Sequence, residues 1–289
     1  MCDKMVTLNI NVERCENCNR CVDICPEGIF KKHNQAPEIT VKEYCMSCGQ
    51  CTIICPTSAI NHGYYPENKI HPIKPELNAS AEQIMELIKT RRSIRAFQDK
   101  KISPSVIEKI IEAANSAPSA KNKQTTRYVV VTDIETLKAI TEITFNFMKE
   151  AIKLFNNDDF ISSVDSDEAK VFLQIKPAYE HITKAYETGD DLILHKAQAV
   201  IFFHAEKCAI SAEVNANLAL QNASLMSASL GLGTFYAGYV TGASSRTEYI
   251  NELLDIPPQN RVYAVLAIGI PKYQFNKWAD KNQPEIKWI

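Results

Sequence analysis

The chain has 289 residues, of which 45% are hydrophobic and 23% charged, with a formal net charge of −2 and ten cysteines. Such a composition belongs to a globular protein with room for more than one core, and it excludes collagen-like and charge-driven disordered chains. A balance so near neutrality gives no electrostatic reason to expect nucleic acid or an anionic membrane as a partner.

The opening residues, MCDKMVTLNI, lack the basic start and long apolar core of a signal peptide, so the expectation is a cytoplasmic protein with reduced thiols. Two runs then stand out, CENCNRCVDICP at residues 15 to 26 and CMSCGQCTIICP at residues 45 to 56. Each is a Cys-x2-Cys-x2-Cys-x3-Cys-Pro pattern, and they lie thirty positions apart, as a duplicated unit would. Three closely spaced thiolates on one loop, with a fourth that serves the other loop's cluster, is the ligand pattern of two cubane iron–sulfur clusters. That rule assigns Cys15, Cys18, Cys21 and Cys55 to one 4Fe-4S cluster and Cys45, Cys48, Cys51 and Cys25 to a second. Zinc sites usually pair two Cys-x2-Cys arms, and disulfides would leave the regular steps unexplained. Cys2 and Cys208 fall outside the pattern and are expected to be ordinary thiols. The first sixty or so residues resemble the bacterial two-cluster ferredoxins.

Residues 62 to 78 carry Pro66, Pro72 and Pro75 through polar sequence, which predicts an extended linker. The expected organisation is a two-cluster domain over 1–62, a linker over 63–79 and a second domain over 80–289. Ser80 is placed to cap a helix in which Ile84, Leu87 and Ile88 share a face, and Ser103-Pro104 opens another with Val106, Ile107, Ile110, Ile111 and Ala114 inward. Strands are predicted at 128–131, 199–204, 234–239 and 262–270, with helices at 212–230 and 247–254. Residues 135–195 read as mainly helical, interrupted near 156–167. The uncharged stretch from Val214 to Ser245 contains too many Asn, Ser and Gly residues for a membrane span, and a buried helix followed by a buried strand explains it better. Helices and strands mix without regular βαβ spacing, so the fold class is α+β, a central sheet wrapped by helices rather than a doubly wound nucleotide fold. Gly231 and Gly233 lie between helix and strand, the reverse of a dinucleotide loop, and are read as a helix end and a tight turn. His181, His195 and His204 are read as packed or surface histidines, and Tyr236 and Tyr239 as packing groups or as edges of the pocket.

Clusters deliver electrons singly, so a second domain doing two-electron chemistry needs a carrier that accepts one electron twice, and flavin is the economical one. RRSIRAF at residues 91 to 97 sets Arg91, Arg92 and Arg95 around Ser93, a group suited to a phosphate, although arginines at a helix end often serve carbonyls or solvent instead. Three further stretches follow in order: AANSAPSAKNKQTTRYVVV at 113–131, NLALQNASLMSASLGLGTFYAGYV at 217–240 and AIGIPKY at 267–273. With RRSIRAF they resemble the nitroreductase family of FMN-dependent oxidoreductases over nearly all of residues 80 to 289. The resemblance implies a homodimer with FMN in a groove at the subunit seam. By motif position it implies that Arg91, Arg92, Ser93 and Arg95 hold the phosphate and pyrimidine side. Pro118, Ser119, Ala120, Asn122 and Gln124 would approach from the partner subunit, Ala237 and Gly238 would lie at the flavin N5 edge, and Lys277 and Lys281 near the phosphate. No side chain is needed as a catalytic group, because the flavin carries the chemistry. Thr125 and Thr126 depart from the Pro and Trp of many relatives, which alters the wall of the acceptor pocket.

The expected activity is an FMN oxidoreductase with a built-in ferredoxin, supplied by an external ferredoxin or NAD(P)H and reducing a nitro compound, quinone or activated alkene. The alternatives are an electron-transfer hub between proteins, a direct NAD(P)H-dependent reductase, and a redox sensor, for which a nucleic-acid-binding feature is lacking.

Overall fold

The computed structural model describes residues 6–289, so Cys2 lies outside the described residues. The chain divides into two compact units, one running to Ala79 and taking in Ser119–Gln124, the other holding Ser80–Pro118 and Thr125–Ile289.

The first unit is a tandem repeat. Helix α1 (Arg20–Ile24) and helix α2 (Gln50–Ile54) each begin one residue before the third cysteine of a run, after a residue in the left-handed region, Asn19 (φ 59°) or Gly49 (φ 73°). Four short strands complete it: β1 (Leu8–Ile10), β2 (Phe30–Lys31), β3 (Glu38–Ile39) and β4 (Ile60–His62). Antiparallel β1–β4 pairing joins the start of the unit to the end of the second run, and β2 pairs with β3. Leu8, Cys21, Ile29, Phe30, Cys51 and Ile60 form its small core. The proline-rich stretch contains no α-helix, only two single 3-10 turns at Glu67–Lys69 and Pro75–Leu77.

The second unit opens with α3 (Ala81–Thr90), whose start carries a complete capping box: Gln83 N–H donates to Ser80 Oγ and Ser80 N–H to Gln83 Oε1. Helix α4 (Pro104–Asn115) buries Ile107, Ile110 and Ala114. Strand β5 (Arg127–Val131) leads into three helices, α5 (Ile134–Phe155), α6 (Asp158–Ser163) and α7 (Ser166–Glu187). Then come β6 (Ala199–Glu206), α8 (Ala212–Ser229), β7 (Gly233–Tyr236), α9 (Gly238–Arg246), α10 (Tyr249–Leu253) and β8 (Asn260–Gly269). The four strands form one antiparallel sheet in the order β5-β6-β8-β7. No parallel crossover exists in it, which is why the α+β reading holds over a doubly wound one.

Strands β6 and β8 are apolar at successive positions because both faces of the sheet are covered. Val200, Phe202, Val265 and Ala267 point into one core, lined by α5, α7 and α9, while Ala199, Ile201, Phe203, Ala264, Leu266 and Ile268 point into the other, against α4 and α8. Fully burying a side chain of the size of Phe202 or Phe203 stabilises by about 1.5–3 kcal/mol before conformational entropy is set against it.

Two expectations need correction. The strand predicted over 234–239 stops at Tyr236, because Ala237 turns (φ −83°, ψ 67°) and the glycines at 238 and 242 sit inside α9. The helix expected to be buried, α8, is buried on one face only. Val214 and Leu218 remain exposed, and so does the apolar face of α3, where Ile84, Met85 and Ile88 are each near half-exposed and nothing is buried. Helix α8 ends as its glycine suggests: Gly231 (φ 75°) donates to Ala228 O and Leu232 to Ser227 O, a Schellman closure. Among the described residues no helix is long and apolar enough to cross a membrane.

His204 on β6 is buried, and Asn260 Nδ2 lies 2.8 Å from its Nδ1, so the ring accepts there and is neutral. Burial, reinforced by Arg127, holds its pKa below the usual 6.5. Below about pH 6.5 the unfolded chain takes up a proton that the native ring still refuses, so this group costs stability as the pH falls and costs nothing above that range. Thermal unfolding at constant ionic strength is expected to show Tm falling from pH 7 to pH 5, and His204→Gln to show a shallower fall.

Candidate functional site

Two cavities in the first unit are walled by thiols. One is lined by Cys15, Cys18, Cys21 and Cys55, the other by Cys25, Cys45, Cys48 and Cys51, and both open to solvent. These are the two crossed sets that the spacing assigns. Among the described residues no three His, Cys, Asp or Glu side chains gather closely enough to hold a single ion. Each cavity draws its sulfurs from both runs.

The chain aims its own donors at these sulfurs. Ile29 N–H donates to Cys25 Sγ at 3.4 Å and, thirty residues on, Ala59 N–H to Cys55 Sγ at 3.2 Å. Asn17 N–H donates to Cys15 Sγ at 3.4 Å. Burial pushes the Cys51 thiol up to about 11, with the charges of Cys45, Cys48 and Cys25 adding to it. Burial likewise raises Cys21, on which Cys15 and Cys55 act. At Cys55 burial is outweighed by hydrogen bonds from Ala59, Thr57 and Ile60, and the thiol is held below its usual value. The electrostatic neighbours thus sort into the same two groups as the cavity walls.

In the second unit the RRSIRAF segment leaves α3 and runs extended across the ends of β7 and β8. Ser93 bridges to Thr234, Ile94 N–H donates to Thr234 O at 2.9 Å, Gln98 N–H to Ile270 O at 2.8 Å and Lys272 N–H to Ala96 O at 2.9 Å. Glycine makes this close approach possible: a Cβ on Gly233 would lie 2.7 Å from Ile94 Cβ, and one on Gly269 would run into the Phe97 ring. The strap carries the arginines. Among the described residues no ion pair with a carboxylate engages Arg91, Arg92 or Arg95, and α3 ends on Thr90 Oγ1 donating to Glu86 O at 2.7 Å rather than on a guanidinium.

The structure sets Ser93 against Thr234 and Arg95 beside Phe235, on the strand that leads into Ala237 and Gly238. Arg95 Cζ sits 5.3 Å from the Phe235 ring centre, two residues before Ala237. Ala237 N–H is spent on Val265 O at 2.8 Å, whereas Gly238, the first residue of α9, has an N–H that no intrahelical acceptor reaches. Lys277 and Lys281 lie exposed in a tail without regular structure. Beside Lys277, the Trp278 ring sits 4.2 Å below Lys89 Nζ in the last turn of α3.

Pro118 belongs to the second unit, but Ser119, Ala120, Asn122 and Gln124 group with the first. Asn122 Nδ2 donates to Ser47 O at 2.6 Å and to Tyr65 Oη at 2.9 Å, which commits both of its amide hydrogens beside the second cysteine run. Ser119 Oγ accepts from Gln124 N–H at 2.9 Å, and Lys121, Asn122 and Gln124 all have positive φ.

One neighbour of the arginines is His195, read from the sequence only as a packed or surface histidine. The His195 ring packs edge-on against Phe235 at 5.4 Å, its pKa lowered by burial, with Arg95 pressing further down against the opposing pull of Asp191. Asp191 builds the turn that presents it, accepting from Ile193, Leu194 and Lys196 N–H groups at 2.9 Å. An Asp followed by apolar residues signals such a turn only weakly.

Residues 88–270 match the model of the nitroreductase family. The chain belongs to the nitroreductase family. It is therefore an oxidoreductase, and this nitroreductase carries at its N-terminus a 4Fe-4S dicluster ferredoxin domain, matched over residues 14–60. A relative from Archaeoglobus fulgidus, whose name pairs NADH dehydrogenase with NAD(P)H nitroreductase, is 30% identical over 206 residues, covering 71% of this chain and 95% of its own. An FMN reductase of Bacillus subtilis is 30% identical over 189 residues, covering 65% of this chain and 66% of its own. Among solved structures, a nitroreductase with bound FMN from Bacteroides fragilis shares the fold at TM-score 0.53 and 18% identity, over 72% of this chain and 99% of its own.

If the strap owes its position to bare Cα atoms, Gly233→Ala must push Ile94 aside. The expected cost is about 1–3 kcal/mol, read from denaturant unfolding.

Proposed function

We propose that this nitroreductase is an FMN oxidoreductase with its own two-cluster ferredoxin, in which electrons from an outside donor pass by way of two 4Fe-4S clusters to FMN and on to a small acceptor. The observation that carries this reading is the pair of cavities, each walled by four cysteines drawn from both repeats. One such set suits one cubane, and the two sets together suit two. When bound, the clusters supply one-electron transfer and FMN supplies two-electron hydride chemistry.

The residues present fit FMN as well. Arg91, Arg92 and Arg95, which form no ion pair among the described residues, offer guanidinium donors to a phosphate and to an electron-rich ring edge, with the Ser93 hydroxyl among them. The Gly238 N–H at the start of α9 is a backbone donor next to a position without a side chain, which lets a flat ring come close. Lys277 and Lys281 are secondary candidates for the phosphate. Pro118, Ser119, Ala120 and Gln124 are the candidates to approach FMN from the partner subunit, whereas the amide hydrogens of Asn122 are committed to Ser47 and Tyr65.

A homodimer is part of the proposal, supported by the uncovered apolar faces of α3 and α8. Nitro compounds, quinones and activated alkenes are the acceptor classes, and reduced ferredoxin or NAD(P)H the donor.

Anaerobically purified protein is expected to contain about eight iron atoms and one FMN per chain, and a spectrum with clusters but no flavin overturns the proposal. Cys55→Ala is expected to lose about half of the iron while keeping FMN. Arg95→Ala is expected to keep its iron and bind FMN about 10- to 100-fold more weakly in equilibrium dialysis, the loss of one charge-assisted hydrogen bond. Stopped-flow bleaching of the flavin by NADH, NADPH and reduced ferredoxin in turn identifies the donor.

A further inference from the structure

Backbone donors to the cysteine sulfurs obey the thirty-residue repeat, Ile29 to Cys25 matching Ala59 to Cys55. Hydroxyls also balance, Thr57 reaching Cys55 in one set and Thr52 reaching Cys51 in the other. Those hydroxyls have no counterparts thirty positions earlier, where Glu27 and Val22 stand, but each set has one; an imidazole donor falls on one set alone. His62, at the end of β4 and 4% exposed, places Nε2 at 3.8 Å from Cys45 Sγ. The residue thirty positions earlier is Lys32, which points to solvent and lies 4.0 Å from Asp23.

The ring's proton is fixed by geometry. Tyr64 N–H donates to His62 Nδ1 at 3.2 Å, so Nδ1 is an acceptor and the hydrogen of the neutral imidazole sits on Nε2, facing the sulfur. The ring cannot turn away easily, because Tyr65 packs on it at 5.3 Å and Tyr64 at 6.2 Å. Tyr65 is itself held by Asn122 at its hydroxyl and fills the space beside Gly49, where a Cβ would lie 2.8 Å from its ring.

We propose that His62 is a positioning residue that tunes only the cluster of Cys25, Cys45, Cys48 and Cys51, its Nε2–H stabilising the extra negative charge on the Cys45 sulfur when that cluster gains an electron. This rests on the two-cluster reading above. One electron from a low-potential reductant adds one negative charge to the cluster and its ligands, and a fixed N–H dipole on a ligand sulfur favours the more negative state. The two clusters of one chain are thereby made inequivalent by a side chain that the repeat did not copy.

The test is an anaerobic redox titration with dithionite, followed by electron paramagnetic resonance, on the full-length holoprotein and on His62→Phe and His62→Gln. His62→Phe, which keeps an aromatic ring but not the donor, is expected to shift one of the two midpoints to a more negative potential and leave the other in place. His62→Gln is expected to recover part of the shift. Both midpoints unmoved, or both moved together, overturns the proposal. Should His62→Phe not assemble its clusters, native protein labelled with nitrogen-15 histidine decides: hyperfine coupling from the label to one of the two reduced-cluster signals supports the role. A full iron complement without that coupling overturns the role alone, whereas native protein lacking iron in the second set overturns the two-cluster reading together with it.

Discussion

Neither cysteine run can complete a four-sulfur cavity from its own loop, and this is the constraint under which the first unit is built. Each loop contributes three thiols and borrows the fourth from the other, so Cys25 closes the cavity of the second run and Cys55 that of the first. The repeat must therefore fold as a pair. Its antiparallel β1–β4 ladder and its core, in which Cys21 and Cys51 serve as both apolar filling and ligands, are the means by which eight sulfurs are brought into register. So small a core stabilises little unaided, and bound clusters would add their binding free energy to folding.

The second unit solves a different problem, the display of cations on a rigid surface. Two central strands buried on both faces hold β7 in place, β7 holds the strap through Thr234, and the strap holds Arg91, Ser93 and Arg95. The same strand ends at Tyr236 and turns directly into α9, whose first residue is Gly238. Both features depend on glycine where backbone meets backbone or side chain closely, at Gly233 and Gly269 under the strap. A catalytic side chain is not required by such a site, since the cofactor would bring the reactivity and the protein the orientation.

Much of this was legible in the sequence because it is local. The steps of two, two and three between cysteines are set by a single loop and need no tertiary knowledge, and Ser80 before an apolar run at helical spacing declares its helix start locally. The Gly231 helix closure and the apolar runs of β6 and β8 are equally short-range signals. What escaped was long-range or conditional. The Asn122 amide pairs with Ser47 and Tyr65, 75 and 57 residues away, and no pattern in either segment announces the partner. His195 reaches the Arg95 and Phe235 pair only through a turn made by Asp191. The end of β7 was missed because Ala237 spends its N–H on Val265 and bends the chain, while the glycines that followed looked like helix breakers. The burial of α8 was overestimated for another reason: an apolar face announces that it needs covering, not which chain covers it.

The peptide passes from one unit to the other at three points, since Ser119–Gln124 returns to the first after Pro118 and leaves again at Thr125. The ferredoxin portion is thus not a bead on a string that a single cut would release. A gene fragment ending at Ala79 would encode an incomplete object, lacking the six residues whose Asn122 fastens the backbone of Ser47 between two cysteines of the second run. Recombination that exchanged such a module between proteins would have to carry, or reinvent, a stretch encoded well downstream.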